Sequence, residues 1–463
     1  MRRQAPEAGM RVRQRAGTRA HLEDDELVWA HPWGALRVRR PPRPLRTATG
    51  LITRAGAAGL EHARLAGEIG EPAAAAVLRA LACCLTVSLC DAEGRPVIDA
   101  EPLHPGARWA EPVRADRTAR WSRYASVRAE GGEVVAESPL GGHRITVHDG
   151  RLLAALPAAA AAGPVSALSW PPAVTAWLAA SGLLAVADDD GSFPEDARET
   201  AAWSPQDLAS WWCSRPGLHD RPVGATPASA AADAEGGPTP VESGSVGVLP
   251  LPRADITRLR DEDRTLTAVL EDRRSVREHG GEPLTAAAVG EFLDRCFGLR
   301  QAPDRAGRRA FPSAGAIEDL TVYLVVGRCT GVPPGVHRYD PGRHALVAVP
   351  PGPPGRDGGA LLRGAARTAG VAAAPDLLVV LTSRVSRLAA KYAGLAYSLT
   401  LRNAGVLYQS MYLVGASMGL ATCALGFTDS RLTAGALGLE LPGEVPVGEF
   451  MIGSPGTGGA PAR

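Results

Sequence analysis

The chain has 463 residues, 45% of them hydrophobic and 21% charged, with a net charge of +1. This is material for globular cores, about three domains on length alone, and the charge balance gives no global field toward nucleic acid or a membrane surface. No stretch approaches the roughly 18 uninterrupted apolar residues of a membrane helix. The seven cysteines include no CxxC pair, and the ten histidines form no ligand spacing, so reduced thiols in a cytoplasm are expected, with no metal site.

Residues 1–20 carry Arg2, Arg3, Arg11, Arg13, Arg15 and Arg19 without an apolar run. They read as a disordered basic tail rather than a secretory signal. A weak internal repeat follows. Val28-Trp29-Ala30-His31-Pro32-Trp33-Gly34 leads to Leu36-Arg37-Val38, and Val134-Val135-Ala136-Glu137-Ser138-Pro139-Leu140-Gly141 leads to His143-Arg144-Ile145. Each copy predicts two short strands around a Pro/Gly turn, then Ala/Leu-rich helices. The second copy continues through helical 151–162 and 172–180 to a strand at 183–187. Two tandem winged-helix-like modules are expected, over 21–115 and 120–190. All nine tryptophans precede residue 213. A junction and Ala/Gly/Pro-rich linker is read over 191–250, its linker proper from Arg221 to Pro250.

Residues 251–457 read as a mixed α and β domain. Leu266, Val269 and Leu270 mark a helix face ending near Arg273. Val289, Phe292, Leu293 and Cys296 repeat the helical spacing, with Thr285 as the cap. Strands are expected at 320–326, 336–339, 345–349, 376–382 and 450–452, and a long apolar helix over about 385–418.

Three segments carry chemistry. Arg273-Arg274-Ser275-Val276-Arg277 sets three guanidiniums and a hydroxyl just after a helix, donors suited to a phosphate. Phe311-Pro312-Ser313-Ala314-Gly315-Ala316 is a tight small-residue turn that lets a flat ring approach backbone. Gly419–Phe427 reads as a second small-residue loop. Lys391 is the only lysine in the chain and stands beside Tyr392. Arginine replaces lysine wherever charge alone is needed, but a guanidinium cannot lose its proton, so a lone surviving lysine marks a candidate titratable amine.

In their order and separation these segments resemble the FMN-dependent nitroreductase superfamily. With Gly335-Val336-His337-Arg338-Tyr339-Asp340-Pro341, the Lys391-Tyr392 pair and Asn403-Ala404-Gly405-Val406-Leu407-Tyr408-Gln409, the chain is similar to the SagB-type azoline dehydrogenases of thiazole/oxazole-modified peptide biosynthesis. The resemblance covers about 255–455, and Ser214–Pro222 resembles the junction of longer members. It implies an α+β protein: a nitroreductase-like FMN domain preceded by two winged-helix-like, peptide-clamp modules. It implies FMN at a homodimer interface. Arg273 and Ser275 would hold the phosphate and Arg277 would face the pyrimidine edge, with Arg274 also among the cofactor-binding residues. Pro312, Ser313, Ala314 and Gly315 would line the ring and ribityl chain, with Leu425 and Gly426 near flavin N5. Lys391 and Tyr392 match the catalytic pair, either of which could take the proton. The implied partners are a precursor peptide and a cyclodehydratase. Two departures stand out. Asn403 replaces a common carboxylate, and Gly453-Ser454-Pro455 follows the last strand where many members carry a basic residue. An NAD(P)H-dependent nitro- or quinone reductase and a non-catalytic peptide-binding scaffold remain the rival readings.

Overall fold

The computed structural model describes residues 9–23, 25–225, 247–302, 305–351, 357–426 and 428–456. The chain divides into two compact units, with the boundary between Val223 and Gly224.

The N-terminal unit begins with β1 (Gly9–Gln14) and a three-stranded sheet of β2 (Arg19–Glu23), β3 (Glu26–His31) and β4 (Gly34–Arg39). Next come α1 (Arg43–Ala55), β5 (Leu60–Glu61), α2 (His62–Ile69), α3 (Glu71–Ala80), β6 (Leu85–Cys90) and β7 (Pro96–Pro102). The second half holds β8 (Thr118–Trp121), β9 (Ser126–Glu130), β10 (Glu133–Glu137) and β11 (His143–Val147). It continues through α4 (Gly150–Ala154), α5 (Leu156–Ala159), β12 (Gly163–Pro164), α6 (Pro172–Ala180) and β13 (Leu184–Val186) to α7 (Arg198–Ala201) and α8 (Pro205–Cys213).

The repeat is visible in this order. The β3–β4 and β10–β11 hairpins are antiparallel, and each is followed by helix, short strand, helix and strand. The halves are nevertheless not independent modules. One seven-stranded sheet runs β5-β1-β6-β7-β11-β10-β9, crossing from the first half to the second through the β7–β11 ladder. A single apolar core containing Trp29, Leu78, Ile98, Ile145 and Trp177 spans both. The separation into 21–115 and 120–190 is corrected accordingly.

The expected disordered tail is corrected from Gly9 onward, because Met10 and Val12 anchor β1 between β5 and β6; residues 1–8 lie outside the description. The junction is corrected as well. Its residues 191–223 form α7, α8 and a closing segment that belongs to the N-terminal unit. Asp220 receives Arg15 and Arg144, each at 2.7 Å. Glu137, fully buried, receives Arg144 at 2.7 Å, Arg128 at 2.7 Å and Arg221 at 2.5 Å. Burial pulls the Glu137 carboxyl upward, but the hydrogen bonds and charges of the arginines outweigh it and hold the group below its usual range.

The C-terminal unit opens with β14 (Gly224–Ala225). The linker residues 226–246 lie outside the description, and the expected linker ends early, since β15 (Val248–Pro250) is already an edge strand. Then follow α9 (Ile256–Glu262), α10 (Leu266–Asp272), β16 (Leu284–Thr285), α11 (Ala286–Phe297), β17 (Leu299–Ala302) and β18 (Arg305–Arg309). The centre holds β19 (Leu320–Val326), β20 (Cys329–Thr330), β21 (Gly335–Asp340), β22 (Ala345–Ala348), α12 (Gly358–Ala369) and β23 (Leu377–Ser383). The last elements are α13 (Val385–Ala389), β24 (Tyr392–Ala393), α14 (Ala396–Ser417), β25 (Ala421–Leu425), α15 (Ser430–Leu437) and β26 (Val445–Gly453).

The main sheet has the order β15-β22-β21-β19-β23-β26-β25 and is antiparallel throughout. An interior strand of it, β23, is buried at every position, as expected of a strand covered on both faces. Residues Val379 and Leu381 face one apolar core with α11 and α14, while Leu378 and Val380 face another with α12 and α15. Thr285 caps α11 by accepting the Ala288 amide, and Val289, Phe292, Leu293 and Cys296 are buried as their spacing predicts. The face assigned to α10 is corrected: only Val269 is buried, and Leu266 and Leu270 are 64% and 49% exposed.

Candidate functional site

Helix α10 ends at Asp272, where Arg273, at φ −58°, ψ 120°, leaves the helical conformation. Arg273 lies with its guanidinium carbon 5.1 Å from the Tyr412 ring centroid, and the Ser275 hydroxyl is 2.8 Å from the Tyr412 hydroxyl. That phenol oxygen also accepts the Ala424 amide at 2.8 Å, and the Val276 amide donates to Thr422 O. Tyr412 thus joins the arginine-serine segment to the edge strand carrying Leu425 and Gly426. Leu425 is buried; Gly426 is exposed, with open space where a Cβ would stand. Arg274 lines a shallow cavity with Arg264, Val276, Gly419 and Thr422. The expected 419–427 loop is largely strand, because 421–425 pairs with β26; Phe427 lies outside the description.

The second cluster is built on the Phe311–Ala316 turn. Ala316 N donates to Ser313 O, and Gly315 sits at φ 61°. A Cβ on Gly315 would lie 2.4 Å from the Tyr392 hydroxyl, so glycine is required there both by conformation and by the phenol packed against it. The Ala314 amide donates to Asn403 Oδ1 at 3.1 Å, and Asn403 Nδ2 donates to Asp319 Oδ1 at 2.8 Å. The other Asp319 oxygen takes Thr400 and Ser383 hydroxyls at 2.9 and 3.0 Å. This accounts for the asparagine. A carboxylate at 403 would face Asp319 as a like charge, whereas an amide accepts from one neighbour and donates to the other.

Lys391 and Tyr392 are not inside a helix, which corrects the reading of 385–418 as one element. Helix α13 stops at Ala389, Lys391 N donates to Leu388 O, and Tyr392–Ala393 pairs with Gly224–Ala225. Gly394, at φ 69°, then turns the chain into α14. A glycine interrupting an apolar run was the available signal. Lys391 and Tyr392 are both half-buried. Tyr408 differs from Tyr392: burial, then the nearby Glu449 carboxylate, push its phenol up to about 12 while it accepts the Glu449 amide. Tyr408 is held as a structural hydroxyl.

The two clusters leave α14 from opposite flanks. Asn403 and Tyr412 are nine residues apart, which at 3.6 residues per turn is about two and a half turns. Asn403 reaches Asp319 at the start of β19, while Tyr412 reaches β25, three strands away in the sheet order, about 14 Å. Tyr397 and Leu401 on α14 are exposed and apolar, as are Leu266 and Leu270 on α10. Ser454, in the segment lacking a basic residue, donates its hydroxyl to Glu282 O, so this end of the chain is stitched to the loop after Arg277. Reading the residues in order missed Tyr412 and Asp319. The i, i+4 spacing of Tyr408 and Tyr412 was a usable hint, whereas Asp319 carried none.

Residues 270–454 match the family model described as the nitroreductase family. A protein of Methanocaldococcus jannaschii named as a nitroreductase is 31% identical over 179 residues, covering 38% of this chain and 84% of that protein. Through this part the chain belongs to the nitroreductase family, an oxidoreductase family whose members generally use a flavin. Among solved structures, a Ralstonia eutropha protein named as a nitroreductase is 25% identical, covering 47% of this chain and 94% of its own, with a TM-score of 0.37. The Escherichia coli microcin synthetase McbBCD complex with truncated pro-MccB17 bound is 19% identical, covering 51% and 84%, with a TM-score of 0.35. No helix among the described residues is long and apolar enough to cross a membrane.

Proposed function

We propose that the protein is an FMN-dependent azoline dehydrogenase acting on a ribosomally made peptide, and that it works as a homodimer. The residues present fit FMN. Arg273, Ser275 and Arg277 form a cationic, hydroxyl-bearing donor set for a phosphate and a reduced ring. The space at Gly426 and the small-residue turn at Pro312, Ser313, Ala314 and Gly315 admit a flat ring system against backbone. Because these two clusters leave α14 from opposite flanks, one cofactor would draw on both only across two copies of the chain. The exposed Tyr397, Leu401, Leu266 and Leu270 support such an apposition.

When bound, the flavin supplies a two-electron acceptor for the hydride that leaves an azoline ring carbon. The chain must then take the proton from the adjacent carbon. Lys391 as the neutral amine, or Tyr392 as a tyrosinate beside its ammonium, performs that step. Asn403 holds the Ala314 amide in place, and β14 holds the Tyr392 backbone. The observation that carries the reading is the chain's single lysine next to a phenol that packs on the small-residue turn.

We further read the helix–strand–helix order in each half of the N-terminal unit as winged-helix-like, with the exposed edge strand β9 as a place for an extended precursor peptide to add. A cyclodehydratase that forms the azolines would be the other partner. The 31% identical relative favours a second reading, a small-molecule reductase fed by NAD(P)H. The test is purified yellow protein given an azoline-bearing peptide. Loss of two hydrogens per ring by mass, without NADPH consumption, supports the dehydrogenase. Rapid NADPH oxidation with a quinone, and no change in the peptide, supports the reductase.

A further inference from the structure

The N-terminal unit contains a side-chain cluster that the proposed chemistry does not use. His31 ends β3, and Cys83 and Cys84 lie in the single 3-10 turn of 82–84 that leads into β6. Their donor atoms all lie within 4.8 Å of one another. Separated by more than fifty positions in sequence, they show no ligand spacing, which is why the sequence pointed to no metal site.

The geometry points to a binding site for a thiophilic d10 cation, Zn(II) or Cu(I), held by the Cys83 and Cys84 thiolates and the His31 imidazole. The two sulfurs are 3.8 Å apart. Two sulfurs bound at ~2.3 Å to one tetrahedral metal stand about 3.8 Å apart, so the adjacent cysteines need little movement to chelate. Soft thiolates with one imidazole select this class of ion over calcium or magnesium. His31 Nδ1 takes the Trp33 amide at 3.3 Å, the long end of a hydrogen bond, and a metal–nitrogen bond more than replaces that contact. Cys84 is buried, while His31 and Cys83 are half-buried, leaving an entry path and a remaining coordination position on the outer side.

The neighbouring cation does not oppose this. Arg15 stacks 4.7 Å over the Trp33 ring and is already matched by Asp220 at 2.7 Å and Glu101 at 3.3 Å. Two thiolates and a neutral imidazole leave a divalent ion with no net charge and a monovalent one with a single negative charge beside that arginine. The bound ion would tie the small β2-β3-β4 sheet to the root of β6 in the large sheet, so loading it should raise the thermal midpoint of the unit.

The test uses full-length, reduced protein. Metal content is measured after expression with added zinc, cobalt(II) is titrated as a spectroscopic probe, and copper(I) is titrated against a chromophoric chelator. About one equivalent per chain, a thiolate-to-cobalt charge-transfer band and a raised thermal midpoint are expected. Retention of zinc or of copper identifies the ion. Cys83→Ser, at a half-exposed position and checked for fold by circular dichroism, should abolish the band, and His31→Asn should weaken binding by about 10-fold or more. Absence of any charge-transfer band and of copper competition in the reduced protein overturns the site. So does metal retained at unchanged stoichiometry by folded Cys83→Ser.

Discussion

The two units treat buried charge differently. In the N-terminal unit, Glu137 and Asp220 are tied to Arg15, Arg128, Arg144 and Arg221, and the guanidiniums are consumed within the fold. In the C-terminal unit, the buried Asp319 is satisfied by two hydroxyls and an amide, and Arg277 is left exposed with Arg273 half-buried at the surface. Cations are cross-links in the first unit. In the second some do the same, as Arg300 at Asp294 and Arg328 at Asp376 show, but those of 273–277 stay at the surface, where an outside anion can meet them. An arginine-rich chain therefore separates structure from binding by what its guanidiniums face, not by where they occur in sequence.

The sharpest way to break this contrast is at the one position where arginine was not used. Lys391→Arg should keep the fold and the flavin but lower azole formation by about 10²–10⁴-fold, the usual cost of a positioned base. Mass loss on an azoline peptide, with flavin absorbance in parallel, is the measurement; an arginine variant at the wild-type rate removes Lys391 from the chemistry. Next in size is the N-terminal network. Asp220→Ala removes the carboxylate shared by Arg15, 4% exposed, and Arg144, each of which keeps one other acid, and should cost about 1.5–3 kcal/mol. Urea unfolding followed by tryptophan fluorescence reads this unit alone, since all nine tryptophans lie in it. Flavin content should not change.

Arg273→Ala with Ser275→Ala tests the opposite case. Each removes a charge-assisted or hydroxyl donor from an exposed cluster, so stability should hold while flavin affinity drops several-fold to several-hundred-fold. A fully yellow double variant would mean the phosphate is held elsewhere. The last test concerns pH. Burial, and then the neighbouring His104, lower the pKa of His143 from 6.5 to about 4. The unfolded chain therefore binds this proton first. The stabilisation from His143 is complete above about pH 6.5 and falls by about 3 kcal/mol as pH drops to about 4. His143→Gln should flatten that part of the fluorescence-monitored stability profile, and an unchanged slope would assign the acid sensitivity to Glu137 and its arginines.

Much of the C-terminal unit was legible because its elements follow simple periods. The β19 strand spans 320–326 as read, α11 has the predicted cap and buried face, and the hairpin around Asp340-Pro341-Gly342 forms. What failed had long-range causes. The break at Lys391-Tyr392 depends on pairing with Gly224–Ala225, more than 160 residues earlier. The fusion of the N-terminal halves depends on β7 finding β11, and the ordering of β1 on partners some fifty to eighty residues away. In the site, the motif residues were readable, but the groups that organise them, Tyr412 and Asp319, are ordinary helix and loop residues until the fold brings them to Ser275 and Asn403.

The two-residue strand Gly224–Ala225 has a practical meaning for anyone dividing this chain. A cut made anywhere in 226–246, the natural choice from composition, leaves those two residues on the wrong fragment. The excised nitroreductase-family unit would then begin without the ladder partner of Tyr392, whose main-chain groups would turn to water instead. Such a fragment could be inactive for a purely local reason, and its failure would be misread as a demand for the N-terminal unit. A fragment beginning at Val223 carries its own splint and is the fair comparison.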